Sequence, residues 1–477
     1  MLKDLVKGSV IYGLAPYVPK ILTVFLLPIL TKYLTSVDYG IIGTITSIVF
    51  LVQALQDLGL RVLLANYFYK CKCQYKVIWR EIYGFLSAWM IFYALLQGVL
   101  LYIFIPEEAE SNKWLIIILS NFSTVFFGPT SIIGHKYYQL NLQPMPVAMR
   151  TVLSGVTTIL TNFVCVVVFK WGYMGAYVGS FAGTFIVNLS YWYVVNKKLG
   201  LSPIYNFKIR TIKKLLKVSI PTIPHYYTSY LLDTSYIFAM NIYKRPQAEI
   251  GQLTMARNFS HLFESTINAV NQVFSPMTYQ YIRENNPKEL RRMVYTYILM
   301  IYSMTCLYSI WAKEIYGLLI NNEELAATYK FSIIFIMALN YRPLYVYCCT
   351  YFFYHEKTVQ LLGITFVAGL ISCFIYFVFI PYGGLYAILL GYYVGCVYYG
   401  YSGYMYKLYK QKSIFHLKWY YFFFIQIVAS LFVYYAVDYN FIYKIPVTLL
   451  LLACIGWGGY TRILKKKPKQ KSFLKYR

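Results

Sequence analysis

Stretches of about twenty apolar residues, each closed by a charged or Pro/Gly cluster, recur along almost the whole chain. A segment that crosses lipid must satisfy its own backbone hydrogen bonds, so these stretches are read as membrane-spanning α-helices. The breaks place six spans near 9 to 33, 40 to 60, 81 to 105, 114 to 134, 146 to 169 and 173 to 195. Eight more fall near 214 to 242, 249 to 275, 293 to 317, 327 to 353, 358 to 380, 384 to 406, 418 to 437 and 441 to 461. Fourteen spans of about 21 residues use roughly 290 positions and leave connections of about a dozen residues, too short to hold a soluble domain. The composition agrees: 59% of the residues are hydrophobic and 13% charged, too little polar surface for a soluble fold. The first stretch is too long for a signal-peptide core and lacks a small-residue cleavage site, so it is expected to be an uncleaved span.

Charge then gives the orientation. Roughly 33 of the 44 Lys and Arg fall on one set of connections, which the positive-inside rule makes cytoplasmic, together with both termini. The opposite side holds about seven, with the acidic residues Glu107, Glu108, Glu110, Glu323 and Glu324. The net charge of +27 is therefore chiefly a topology signal, and the tail Lys465, Lys466, Lys467, Lys469 and Lys471 is placed to touch anionic headgroups. Nucleic-acid binding is the weaker reading of that tail. Seven of the nine cysteines lie inside spans, where they pack as small apolar residues and imply no disulfide framework. Cys71 and Cys73 form a CxC whose nearest histidine is His135, a poor metal set.

An internal repeat divides the spans. PYVPK (Pro16 to Lys20) returns as PTIPH (Pro221 to His225) at an offset of 205, Gly128-Pro129 as Arg342-Pro343 at 214, and KWGYMGA (Lys170 to Ala176) as PYGGLYA (Pro381 to Ala387) at 211. Six spans per unit keep both copies in one orientation, so the repeat is parallel and its two lobes enclose a cavity suited to alternating access. The expected organisation is an all-α integral membrane fold: an N-lobe over 1–200, a C-lobe over 201–410, two further spans over 411–461 and a basic tail over 462–477. Pro16, Pro19, Pro221 and Pro224 stand early in the first span of each lobe and are hinge candidates, although proline is common in membrane helices.

Ionisable side chains inside spans are functional candidates, because each costs roughly 2.5–3.5 kcal/mol to insert without a partner. Arg257, His261, Glu264, Asn268 and Asn271 recur at intervals of four, three, four and three, so they share one helical face, lining a cavity or forming a buried network. Lys20 and His225 occupy matching places in the repeat, Asp233 lies two turns beyond His225, and Arg342 is mid-span before Pro343. Asp57 and Arg61, four apart at a cytoplasmic span end, are an interfacial ion pair or a gate. A cavity holding Lys20, Arg257, Arg342, His225, His261 and Asn268 would be cationic and suit a phosphate or pyrophosphate cargo. Asp233, Glu264 and Asp57 are then available for charge balance or for a coupling Na+ or H+; no other cofactor is expected. Most of the 54 tyrosines are explained by interfacial belts, and those in mid-span would suit sugars.

Five motifs, LTKYLTSVDYGIIG (Leu30 to Gly43), QDLGLR (Gln56 to Arg61), IPTIP opening span 7, WAKEIYGLL (Trp311 to Leu319) and the turns with Trp171-Gly172 and Tyr382-Gly383, carry a family likeness. In them the chain resembles the polysaccharide flippases of the multidrug, oligosaccharidyl-lipid and polysaccharide exporter superfamily. The resemblance implies a V-shaped pair of six-helix lobes in a bacterial cytoplasmic membrane. It also implies a cargo of undecaprenyl-pyrophosphate-linked oligosaccharide for O-antigen, capsule or exopolysaccharide, with a polymerase and chain-length machinery as further partners. Lys20 and Arg257 would supply the cationic cavity residues; the acidic-basic pair of relatives falls on Asp233-Thr234, where the basic partner is missing. The chain is expected to be no enzyme. The alternatives are a cation-coupled multidrug exporter, which should prefer acidic cavity residues, a lipid II flippase, and a membrane-embedded polymerase, for which long loops and paired carboxylates are lacking.

Overall fold

Every described element is helical, as a backbone crossing lipid requires. The computed structural model of the chain describes residues 17–70, 74–355 and 357–459. Pro16, the Cys71 and Cys73 pair and the basic tail lie outside the described residues, and so does the side chain of His225. In chain order the helices are α1 (Tyr17–Tyr33), α2 (Ser36–Gln53), α3 (Leu60–Lys70), α4 (Tyr75–Phe104), α5 (Lys113–Leu140), α6 (Pro144–Asn162), α7 (Tyr173–Tyr193), α8 (Ile209–Ser219), α9 (Ile223–Asp233) and α10 (Ser235–Ile242). They continue as α11 (Gln247–Arg283), α12 (Pro287–Ile310), α13 (Ala312–Leu319), α14 (Glu323–Ala326), α15 (Tyr329–Ala338), α16 (Arg342–Tyr354), α17 (Thr358–Tyr401), α18 (Lys407–Lys412), α19 (Trp419–Ala436) and α20 (Phe441–Gly459).

Among the described residues, nine helical stretches are long and apolar enough to cross a membrane, and Phe441–Cys454 is a shorter apolar one. Three local features account for most of the distance from the fourteen expected spans. The expected seventh span is broken into α8, a 3₁₀ turn at Ile220–Thr222, α9 and α10, with Thr234 at φ −138° between the last two. The expected eighth, α11, carries Arg257, His261 and Glu264 along its length. The expected eleventh and twelfth run together as α17, 44 residues that a non-helical residue, Gly384, divides into two helical segments.

The backbone of α17 reverses at Gly384, with φ 51° and ψ −129°. The same conformation occurs at Gly172, φ 56° and ψ −137°, where α7 begins. The two lie 384 − 172 = 212 residues apart, one more than the offset of the sequence motif around them. Both positions demand glycine, since an L side chain at positive φ of this kind is strained. At the first copy Asp38 Oδ1 accepts the Tyr173 backbone N–H at 2.9 Å, so a carboxylate caps the new helix.

The chain divides into two units. The first runs through Met255 and adds Gly317–Ala326 and Cys373–Ile388. Its core is built on Trp79, Leu86, Met90, Leu60 and Leu64, with the Trp79 indole donating to Leu64 O at 3.1 Å. Within it α2 and the start of α11 meet backbone to backbone: a Cβ on Gly251 would lie 1.8 Å from Ser36 O, and one on Gly40 2.0 Å from Gln247 O. Glu324 closes this seam, accepting from Ser36 Oγ at 2.5 Å and Gln252 Nε2 at 3.0 Å.

The second unit holds Ala256–Tyr316, Ala327–Ser372 and the chain from Leu389 onward. Helices α19 and α20, which stand outside the sequence repeat, are bonded into it. Buried Gln426 donates to Asn340 O at 2.9 Å and accepts from Tyr401 OH at 2.7 Å. Lys444, only 2% exposed, donates to Glu314 Oε1 at 2.5 Å and Val437 O at 2.7 Å.

Candidate functional site

In the first unit α2, α4, α5 and α7 line an open cavity of about 530 Å³. Its walls follow from helical spacing. Ser120, Thr124, Gly128, Ser131 and His135 recur every three or four residues on α5, and Tyr177, Phe181, Thr184 and Asn188 do the same on α7. Gln53, Gln56 and Thr46 complete the polar lining from α2 and the turn after it. Part of the wall is tied to itself: Asn188 donates to Ser123 Oγ at 2.9 Å, and the Ser120 and Tyr177 hydroxyls are hydrogen-bonded.

Arg61, His135 and Lys136 line this cavity, while no Asp or Glu does so among the described residues. Asp57 stands behind them, buried and outside the lining. Its Oδ2 holds Arg61 Nε at 2.5 Å and its Oδ1 accepts the Gly59 N–H at 3.0 Å. That contact is made by Nε, and the guanidinium carries two further nitrogens of the kind that meet an anion in bidentate fashion. Lys136 Nζ reaches Gln139 Oε1 at 2.9 Å, one turn on.

A second charged group lies in the second unit. On α11 the face read from the sequence brings Arg257, His261 and Glu264 together, and Arg342 joins them from α16. Glu264 is the centre: Oε1 is 2.8 Å from Arg342 Nη1, while Oε2 is 3.3 Å from His261 Nδ1 and 3.8 Å from Arg257 Nη2. Arg257 is buried, with its guanidinium over the Tyr392 and Phe335 rings at 4.5 and 5.5 Å and its Nη1 donating to Tyr392 OH and Ser260 Oγ at 2.8 and 2.9 Å. Asn268 lies farther along α11 and is exposed, and buried Asn271 Oδ1 has no hydrogen-bond partner.

The remaining candidates stand on α1 and on the segment from α8 to α9. Lys20 is half-buried on α1, its ammonium 6.0 Å from the Tyr17 ring centre. Pro19 packs against α6 at Gly155, where a Cβ would come within 2.2 Å of it. Pro221 lies within the 3₁₀ turn between α8 and α9, Pro224 and His225 follow in the first turn of α9, and Asp233 is that helix's last residue, at the break. Sequence reasoning found Arg61 but missed His135, Lys136 and the cavity they share with it. The signal was present in the hydroxyl and amide stripes of α5 and α7, which hydropathy hides because Ser and Thr are tolerated in apolar spans.

A family model described as polysaccharide biosynthesis protein matches residues 5–282. Among curated proteins nothing matches the chain. Among solved structures it is similar to lipid II flippase MurJ in an inward closed conformation, at 15% identity and a TM-score of 0.72 over 96% of this chain and 100% of that one. It is also similar to an inward-facing multidrug resistance MATE family transporter of the MOP superfamily, at 13% identity and a TM-score of 0.60, covering 83% of this chain and 92% of that one. A third is a MOP superfamily transporter from Pyrococcus furiosus Vc1, described as having a binding pocket of reversed polarity (14% identity, TM-score 0.54, 84% and 95% covered). At these identities the likeness is one of fold.

Proposed function

The chain belongs to the family of polysaccharide biosynthesis proteins, and from that premise we propose that it moves undecaprenyl-pyrophosphate-linked polysaccharide repeat units across a bacterial cytoplasmic membrane by alternating access. The observation that carries this reading is the cavity of the first unit, walled by hydroxyls, amides and aromatic rings and edged by three basic side chains. A glycan offers hydroxyls to bond and C–H faces to stack on rings, and a diphosphate offers the charge that an Arg fork and a Lys point charge recognise. The basic loops support an orientation with Arg61, His135 and Lys136 toward the cytoplasmic end of their spans, where a lipid-linked diphosphate would enter. A lining that holds no acid among the described residues speaks against cationic drugs as cargo. Coupling to Na+ or H+ belongs to the same reading, with Asp233 at the α9–α10 break as its carboxylate, and a polymerase with chain-length machinery would receive the exported units.

The fold likeness to a lipid II flippase over nearly the whole chain supports a second reading, in which the cargo is lipid II. Both cargoes carry a diphosphate, so a cellular experiment separates them. In a strain lacking this chain, lipid-linked repeat units are expected to accumulate on the inner leaflet while surface polysaccharide is lost and growth continues. Arrest of cell-wall synthesis would select lipid II, and an unchanged pool with normal surface polysaccharide would reject both.

A further inference from the structure

Helix α8 joins the two halves of the sequence repeat and carries more charge than a connector needs. Arg210, Lys213, Lys214 and Lys217 recur at intervals of three, one and three, and all four are exposed. At 100° per residue they cluster on one side. Ile212, Leu215 and Ser219 fall on the opposite side and are buried, the first two in the core cluster that contains Leu60 and Leu63 of α3. The apolar face of α8 is thus consumed by the protein, and its cations form the outermost layer. They surround a shallow recess of about 460 Å³ whose other lining residue is Ile209. Neither α8 nor Lys208 before it is accompanied by an acid in the first turn.

The positive-inside rule accounts for cations on this connection but not for their apolar flanks. Tyr205, Ile209, Val218 and Ile220 are 68%, 65%, 59% and 48% exposed. On the helix Ile209 and Ile220 fall to one side of the cationic stripe and Val218 to the other. Large exposed apolar side chains beside lysines are costly in open water and favourable at a membrane surface, where the rings and branched chains enter the acyl boundary and the ammonium groups meet headgroups.

We infer that α8 is a docking surface for the anionic phospholipid headgroups of the inner leaflet, which strap the linker between the two halves to the bilayer. The phosphates are held by Arg210, Lys213, Lys214 and Lys217, and Ile209 and Val218 seat the helix at the depth of the glycerol backbone. This site is independent of the cargo cavity and of the transport reading.

The test uses the full chain in nanodiscs of phosphatidylcholine alone or with phosphatidylglycerol, with amide hydrogen exchange of residues 205–220 as the readout. Phosphatidylglycerol is expected to slow exchange in wild type. Each cation near an anionic surface is worth about a fivefold factor in binding, so Lys213→Gln/Lys214→Gln should need about 25 times more phosphatidylglycerol for the same protection. The fourfold Gln variant should lose the response, and Ile209→Ser/Val218→Ser should weaken it without changing the charge. Equal protection in the two lipid mixtures, or an unchanged response in the fourfold variant, would overturn the inference. The two-site variant keeps every buried residue of α8, so it remains a fair test if the fourfold variant folds poorly.

Discussion

Two charged groups in this molecule have the same inventory and opposite arrangements. Each contains two fixed cations, one histidine and one carboxylate: Arg61, Lys136, His135 and Asp57 in the first unit, Arg257, Arg342, His261 and Glu264 in the second. In the second unit the carboxylate is central, within 4 Å of both guanidinium groups, and an incoming anion would have to displace it. In the first the carboxylate is buried behind Arg61, and the basic groups face an open cavity whose described lining contains no acid. Like charges converging on such a wall repel one another until an anion arrives. Formal charge therefore does not separate a binding site from a structural network, whereas the position of the counter-charge does.

The sharpest way to break this comparison is to remove the two carboxylates. Glu264→Gln removes the carboxylate shared by Arg257, 3% exposed, and Arg342, and breaking a buried pair by removing one partner costs about 3–5 kcal/mol. The expected result is a large fall in thermal stability of the purified protein. Asp57→Asn keeps Arg61 at the mouth of a cavity, where water solvates it, so its stability cost should be smaller while transport suffers through lost orientation of the guanidinium. Equal destabilisation by the two variants would show that both groups are structural.

The basic residues of the cavity give the next effect. Lys136→Gln and Arg61→Gln each remove charge-assisted hydrogen bonds worth about 1.5–3 kcal/mol to a diphosphate, so export of lipid-linked glycan should fall about 10- to 100-fold. The melting temperature should stay near that of wild type for Lys136→Gln and fall for Arg61→Gln, which takes the ion-pair partner from buried Asp57. Arg61→Lys, which keeps the charge and loses the fork, should lie between. If export survives both Gln variants, the cavity is not where the diphosphate is held.

Much of this was legible in the sequence and some was not. The apolar runs gave an all-helical, multi-pass chain, and the KWGYMGA and PYGGLYA motifs marked the two glycines that share a left-handed turn. The three-four spacing on α11 found Arg257, His261 and Glu264 as one face, because a single helix carries all three and periodicity is a local property. Arg342 entered that group from a different helix, and His135 and Lys136 met Arg61 across another; no local rule reports which helices pack together. The cavity was hidden for a related reason: a stripe of Ser, Thr, Asn and Gln becomes a wall only when α2, α5 and α7 present theirs to the same space.

A third carboxylate supplies the exposed limit of the same comparison. Asp438, between α19 and α20, is 2.8 Å from Lys330 Nζ, 3.7 Å from Lys313 Nζ, and accepts from Tyr329 OH at 2.7 Å. Partial burial pushes its carboxyl up, but the hydrogen bonds from Lys330 and Tyr329 outweigh this and hold it below the ordinary carboxylate range. A carboxyl depressed on folding adds stability that is complete above its unfolded value, about 3.9, and is lost as pH falls through the lower folded value. The side chain is 39% exposed, so solvent screening limits the contribution to under about 1 kcal/mol. Asp438→Asn should therefore lower the melting temperature only slightly at pH 7 and reduce the further loss of stability of wild type between pH 5 and pH 3. A loss at pH 7 as large as that of Glu264→Gln would mean that burial is not what separates a structural carboxylate from a surface one in this protein.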